Sequence, residues 1–281
     1  MPHSYKTLVA DLRASRVEDP EAEARLLLEY FAGVSYATLL SDRDRTYDLP
    51  ALEDAVARRR AHEPLQYILG AWEFCGRRFT VNEHCLIPRP DTEILVEEAI
   101  RRLPAGAKFA DLCTGSGCIA VATLCHRPDT QAVALELYEQ TLALATENAR
   151  ANGVGERFSP ICADLLSDGV DALAAHAPLD AILSNPPYIR TSDLEGLSAE
   201  VHKEPRAALD GGEDGLVFYR AILRDYAAMV KPGGQILLEI GYDQADDLRA
   251  LCAAQLPRAD VEVIRDLGGK DRVVAITLPR A

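Results

Sequence analysis

Residues 108–127 read KFADLCTGSGCIAVATLCHR. A short apolar run, Lys108 to Leu112, ends at a glycine-punctuated turn, Cys113-Thr114-Gly115-Ser116-Gly117. An apolar stretch of helical length begins directly after it. A strand that feeds a tight glycine turn and then a helix is the opening of a βαβ unit, whose next strand lies parallel to the first. Outward from this stretch the alternation continues. QAVALE, FSPICA, LDAILS, QILLEI, VEVI and VVAITL are further short, β-rich apolar runs. Helix-like segments follow or separate most of them: YEQTLALATENARAN, LVFYRAILRDYAAMV and QADDLRALCAAQ. This pattern predicts an α/β fold with a doubly wound, mostly parallel sheet covered on both faces. The last two runs are joined by DLGGKD without a helix, so the final strand is expected to be antiparallel.

The residues before this region read differently. Residues 1–75 are helical in pattern. Asp19-Pro20 is an N-cap followed by proline at the first helical position, and Ala24, Leu27, Leu28 and Phe31 recur at helical spacing. A further helix through LEDAVARRRAHEP must stop near Pro64. Between Tyr67 and Leu86 the pattern turns to alternation broken by glycine, which suggests a hairpin or linker. The expected organisation is a helical domain over 1–75, a hairpin or linker over 76–105, and the α/β domain over 106–281.

Composition narrows the function classes. With 30 Lys+Arg against 44 Asp+Glu, the 281-residue chain carries a formal net charge of −14. Nucleic-acid binding draws much of its free energy from cationic side chains on phosphates, so nucleic acid is not an expected direct partner. Hydrophobic residues at 48% and charged residues at 26% exclude a disordered chain. No apolar run approaches the roughly 20 residues needed to cross a bilayer, and the start of the chain lacks a secretory pattern. No membrane partner and a cytoplasmic location are expected. The seven cysteines include no CxxC pair and the six histidines form no HExxH cluster, so no metal is expected and the thiols read as reduced and mostly buried.

Ligands of open α/β sheets bind at the carboxyl ends of the strands. GSGCIA also fits the loose dinucleotide fingerprint, which alone is a weak signal. Asp111, just before the glycine loop, favours a cationic ligand over a pyrophosphate; S-adenosyl-L-methionine carries an ammonium and a sulfonium. Glu136 closes the second strand, where a carboxylate can accept from ribose hydroxyls. Asp164 follows the third strand and could accept from an adenine amino group, with Leu165 beside it as an apolar wall. The fourth strand ends at Asn185-Pro186-Pro187-Tyr188. Two prolines stop the ladder and stiffen the chain. They leave the Asn185 side-chain oxygen and the Pro186 carbonyl as fixed acceptors beside an aromatic ring, a set that matches a planar NH₂ group.

These residues resemble the Rossmann-like class I S-adenosylmethionine-dependent methyltransferases that act on amide or exocyclic amino nitrogens. More narrowly, the chain is similar to the peptide chain release factor glutamine methyltransferases (the HemK/PrmC family). The likeness spans nearly the whole chain and includes PLQYILGAWEFCG (64–76), LIPRPDTE (86–93), DLCTGSG, NPPY, EPRAALDGGEDGL (204–216), LLEIG (237–241) and KDRVV. It implies an enzyme that methylates the side-chain amide of a glutamine in the GGQ motif of release factors. It also implies that Cys113, Thr114, Gly115, Ser116 and Gly117 line the methionine end of S-adenosyl-L-methionine, and that Glu136 holds the ribose. Leu165 and Asn185 would touch the adenosyl region, and Asn185, Pro186, Pro187 and Tyr188 would bind the glutamine side chain. Residues 1–75 would recognise the protein substrate. The chain departs from the family at Cys113, where many members have glycine, and at Leu165, where some have an aromatic residue. Glutamine methylation of a large-subunit ribosomal protein, adenine amino-methylation of nucleic acid, and a non-catalytic module that keeps the pocket are the alternatives.

Overall fold

The computed structural model describes residues 2–280, and it divides into two compact units. The smaller unit ends at Ala71 and also takes in the segment Ser198–Lys203. It holds the strand pair β1 (His3–Ser4) and β2 (Thr46–Tyr47) and five helices: α1 (Tyr5–Ala14), α2 (Pro20–Ala32), α3 (Tyr36–Ser41), α4 (Pro50–Arg60) and α5 (Leu65–Leu69). The ends of α2 follow from its sequence. The Asp19 carboxylate accepts the Ala22 N–H at 3.2 Å, Pro20 sits in the first turn, and Gly33 leaves the helix at φ 63°. Leu8 and Leu12 of α1, Leu27 and Leu28 of α2, and Leu52 and Val56 of α4 are the buried apolar residues of this unit's helices.

In the same unit Arg59 is buried, with a side-chain exposure of 1%. Its guanidinium donates to both Glu23 carboxylate oxygens at 2.5 and 3.0 Å, to Glu200, and to the Glu63 carbonyl at 3.2 Å. A charge taken out of water is tolerated only when its donors are satisfied this fully.

The larger unit comprises Trp72–Leu197 and the chain from Glu204 onward. A hairpin, β3 (Ala71–Phe74) and β4 (Arg77–Thr80), falls within the stretch where alternation was read. The following residues do not all form a linker: α6 (Glu93–Arg102) buries Leu95, Val96 and Ala99. Their i, i+1, i+4 spacing is a helical face, so the expectation of a plain connector is corrected there.

Beyond α6 run β5 (Lys108–Leu112), α7 (Cys118–His126), β6 (Gln131–Glu136), α8 (Glu139–Ala151), β7 (Phe158–Cys162), α9 (Gly169–Ala174) and β8 (Leu179–Ser184). The chain continues through α10 (Val217–Ala221), which passes into a π turn, then β9 (Val230–Glu239), α11 (Ala245–Gln255), β10 (Asp260–Arg265) and β11 (Asp271–Thr277). The seven-stranded sheet has the order β10-β11-β9-β8-β5-β6-β7. β5, β6, β7, β8 and β9 are mutually parallel, and β11 is antiparallel to both its neighbours, as DLGGKD suggested. Side chains of β5 alternate between two cores: Ala110 and Leu112 pack with Ile182, Tyr219 and Ile236, whereas Phe109 packs with Leu95, Val121 and Ala134. Both faces of the strand are therefore apolar, which is why the run is nearly continuous.

Arg59→Met leaves the Glu23 carboxylate in a site whose burial already pushes its pKa up. At pH near 8 the substitution is expected to cost about 3–5 kcal/mol in urea unfolding. Because a raised carboxyl takes up a proton as pH falls, the loss should shrink toward pH 5. A loss of the same size at both pH values contradicts the assignment of the cost to a stranded carboxylate.

Candidate active site

Register decides which side chains meet at the end of the sheet. Leu112 pairs with Leu135 on one side and Ser184 on the other, and Ser184 pairs with Leu238. The next residues along these four strands, Cys113, Glu136, Asn185 and Glu239, therefore stand side by side at the carboxyl edge. The chain goes from β5 outward to β6 and β7, then returns to β8 on the other side of β5. That reversal is the topological switch point, where doubly wound sheets open a crevice. The Ser184 hydroxyl donates to the Leu112 carbonyl at 2.6 Å and ties the two sides of the switch together.

A cavity of about 930 Å³, counted out to its mouth, lies here. That is within the size range of small-molecule sites. Of the residues singled out from sequence, Cys113, Thr114, Gly115, Ser116, Glu136, Asp164, Leu165, Asn185 and Pro187 line it. Asp111, Gly117, Pro186 and Tyr188 do not.

Asp111 is fully buried beneath the glycine loop. Its Oδ2 accepts the Thr114 hydroxyl at 2.6 Å and the Ala120 N–H at 3.2 Å, so it fixes the loop to the first turn of α7. Burial pushes its carboxyl up to about 7, against the pull of those two hydrogen bonds. Gly117 enters α7 at φ 80°, and a Cβ there would lie 3.1 Å from the Ala145 Cβ, so both backbone and neighbour favour glycine.

Glu136 receives three backbone hydrogen bonds. Gly115 N–H donates to Oε2 at 3.0 Å; Leu137 and Tyr138 N–H donate to Oε1 at 3.0 and 3.4 Å. Burial raises its pKa and these bonds oppose the rise. A carboxylate offers about four acceptor positions, so Oε2 keeps room for one more donor.

Asn185 lines the cavity and donates its Nδ2 to the Thr92 hydroxyl at 3.3 Å. Tyr188 is held from behind. Its carbonyl accepts from Gln244 Nε2 at 3.0 Å, and Gly211 approaches so closely that a Cβ there would lie 2.7 Å from the Tyr188 Cα. Burial pushes the Tyr188 phenol up to about 12, so its hydroxyl is neutral. Ile189 N–H donates to the Leu209 carbonyl and Gly211 N–H to the Ile189 carbonyl, which seats EPRAALDGGEDGL against the chain after NPPY.

Sequence reasoning assigned no site role to much of the wall. His84 through Arg89, Thr92, Leu137, Tyr138, Pro205, Ala207, Ala208 and Phe218 also line the cavity. Glu204 joins two of these segments, accepting the Ile87 N–H at 3.0 Å and pairing with Arg89. LIPRPDTE and EPRAALDGGEDGL, two of the stretches that carry the family resemblance, are the available signal. Among the described residues no cluster of metal-ligating side chains occurs, and no helix is long and apolar enough to cross a membrane.

Residues 5–70 match the PrmC N-terminal domain model and residues 90–235 the methyltransferase small domain model. A release factor glutamine methyltransferase from Geobacter sulfurreducens is 41% identical over 268 residues, covering 92% of this chain and 89% of that protein. One from Cereibacter sphaeroides is 40% identical over 283 residues, covering 99% and 98%. In fold, the solved structure of a methyltransferase from Pyrococcus furiosus superposes with a TM-score of 0.53 at 17% identity, over 73% of this chain and 90% of that one.

Cys113 occupies the left-handed region at φ 59°, where a Cβ is strained by roughly 1–2 kcal/mol. Cys113→Gly is expected to keep the unfolding midpoint within the equivalent of about 1 kcal/mol, strain relief offsetting lost packing. Cys113→Val, with a β-branched side chain at the same φ, should lower it by about 2 kcal/mol or more. Equal effects in chemical denaturation contradict strain at this position.

Proposed function

Because the chain belongs to the release factor glutamine methyltransferase family, we propose that it moves a methyl group from S-adenosyl-L-methionine to the side-chain amide nitrogen of a glutamine in a peptide chain release factor. The observation that carries the reading is the register at the switch point, which puts the glycine loop, Glu136 and Asn185 on the wall of one cavity.

The lining suits the cofactor. Its carboxylates are Glu136 and Asp164, and its one guanidinium, Arg89, is paired with Glu204. A pyrophosphate would find no unpaired cation on that wall, whereas an ammonium and a sulfonium meet carboxylate and carbonyl oxygens. When bound, S-adenosyl-L-methionine supplies a methyl group made electrophilic by positive sulfur. Cys113 through Ser116, held by the turn at Gly117, would take its methionine end, Leu165 and Asp164 its adenine, and Glu136 Oε2 a ribose hydroxyl.

Asn185 and Pro186 perform the rest of the work. An amide nitrogen is a poor nucleophile because its lone pair is delocalised. The Asn185 Oδ1, on the cavity wall, would accept one N–H of the glutamine amide, and the Pro186 carbonyl oxygen, set back from the wall in this structure, would accept the other, with the Tyr188 ring behind them. Positioning of this kind supplies several kcal/mol of barrier reduction. Fixed carbonyl dipoles also stabilise the positive charge that develops on nitrogen. The methylated nitrogen is then strongly acidic and loses its proton to solvent, so no dedicated base is required.

A protein substrate is favoured over nucleic acid by the net charge of −14. The helical residues 1–75 serve its recognition, and the exposed Tyr30, Tyr36 and Leu40 supply apolar contact area there. The direct test is mass spectrometry of a release factor after incubation with the protein and the cofactor. A single added methyl on the GGQ glutamine is the expected result; methylation only of a ribosomal protein or of an oligonucleotide would overturn the substrate assignment.

Glu136→Ala removes a charged acceptor worth roughly 1.5–3 kcal/mol and is expected to weaken cofactor binding about 10- to 100-fold. Calorimetric titration decides this, and an affinity within about twofold of wild type removes Glu136 from the site. Asn185→Ala should lower kcat by roughly 10²–10³ with a smaller change in cofactor affinity. A single-turnover rate within about threefold of wild type would reduce NPPY to a structural turn.

A further inference from the structure

On the Asp164 side of the cavity, the chain after β7 turns tightly on itself. The Asp164 carbonyl accepts the Ser167 N–H at 3.1 Å and the Gly169 N–H at 2.8 Å. Its carboxylate Oδ1 accepts the Leu166 N–H at 2.8 Å. From inside the core Tyr226, which has no part in the mechanism above, donates its hydroxyl to the Leu165 carbonyl at 2.8 Å. Tyr226 is fully buried and is the last residue of the π turn that follows α10; such turns recur at functional sites. The hydroxyl has room there because residue 169 carries no side chain: a Cβ on Gly169 would lie 2.3 Å from the Tyr226 Oη. Burial pushes the Tyr226 phenol up, so it stays a neutral donor.

The Leu165 carbonyl and the Leu166 N–H belong to one planar trans peptide unit, so they point to opposite sides of it. Tyr226 holds that unit by its oxygen, and the unit's N–H holds Asp164 Oδ1. We propose that Tyr226, acting through the Leu165–Leu166 peptide, is a positioning residue that orients the Asp164 carboxylate to read the adenine amino group. The inference rests on the methyltransferase reading and deepens it from cofactor binding to base selectivity. Leu166 is 46% exposed, so its own side chain gives the peptide little hold. Without the phenol the peptide can rotate by a paired change of ψ at Leu165 and φ at Leu166, and its N–H then leaves Oδ1. With Oδ1 occupied, Oδ2 is the acceptor left for a donor in the cavity, which Asp164 lines. Adenine presents an NH₂ there. Hypoxanthine, the deaminated base, presents an oxygen that a carboxylate repels.

The test uses the full chain and two probes in calorimetric titration, S-adenosylhomocysteine and S-inosylhomocysteine. Wild type should prefer the adenosyl probe about 10- to 100-fold, the factor for one hydrogen bond to a charged acceptor. Tyr226→Phe should weaken adenosyl binding about 5- to 10-fold and leave inosyl binding within about twofold of wild type. A phenol that merely stabilised the fold would not separate the two probes. Gly169→Ala, whose Cβ displaces the hydroxyl, should give the same pattern, and adding Tyr226→Phe to it should cost no further affinity. In an Asp164→Ala background Tyr226→Phe should weaken neither probe further, because no carboxylate is left to orient. A wild type that binds neither probe sinks the cofactor reading itself. A wild type that binds both probes alike, or a folded Tyr226→Phe variant that loses affinity for both equally or for neither, overturns the positioning role alone.

Discussion

Everything at the carboxyl edge of the sheet depends on one constraint, the parallel register of β6, β5, β8 and β9. Leu135, Leu112, Ser184 and Leu238 lie in one row. A slip of one residue in any strand would turn its whole apolar set to the opposite face. With both faces of β5 buried, a slip would put the large Phe109 where the small Ala110 packs, each at 0% exposure in a close-packed core. Close packing thus fixes the register, and the register sets Glu136, Cys113, Asn185 and Glu239 in sequence across the strand ends. The cavity chemistry follows from packing that never touches a ligand.

The same edge holds the polar groups that the fold satisfies least. Asp111 Oδ1, Ser116 Oγ and Glu239 Oε2 are buried without a hydrogen-bond partner. Asp111 and Glu239 are both pushed up to about 7 by burial. Unsatisfied acceptors of this kind cost roughly 1–3 kcal/mol each and are rare in a well-packed interior. They lie under the glycine loop and behind Asn185, the two places where backbone or side-chain orientation is critical. The left-handed Cys113, at φ 59°, belongs with them. The other unpartnered buried atoms among the described residues, Tyr47 Oη, Thr123 Oγ1 and Gln255 Oε1, are uncharged and scattered, so the unpartnered carboxylate oxygens are the ones that gather at the strand ends.

The sheet was legible because parallel strands buried on both faces leave nearly continuous apolar runs, as KFADL and LDAILS do. The antiparallel β11 was legible from DLGGKD, which is too short to carry a crossover helix. The reading of 76–105 as hairpin or linker did not separate α6, although Leu95, Val96 and Ala99 carry its period, because three apolar positions over one short stretch make a weak helical signal. Within the site, residues immediately after strand ends could be placed from sequence, since strand polarity alone brings them to one edge. Asp111 could not: its neighbour in sequence is the glycine loop, but its contacts are Thr114 and Ala120 rather than the cavity. Phe218, Pro205, Ala207 and Ala208 reach the wall only through tertiary packing, which no spacing rule encodes. The Thr92–Asn185 contact joins residues far apart in the chain and is likewise invisible without coordinates.

The central claim is that strand register builds an acceptor site for a planar amide at Asn185 beside a ribose-binding carboxylate at Glu136. A crystal structure of the protein with S-adenosylhomocysteine and a glutamine-containing release factor peptide measures this directly. The account predicts the glutamine amide nitrogen within about 3.2 Å of both Asn185 Oδ1 and the Pro186 carbonyl oxygen, and a ribose hydroxyl within the same distance of Glu136. A glutamine amide bound elsewhere, or Asn185 presenting its NH₂ to that amide, would contradict it.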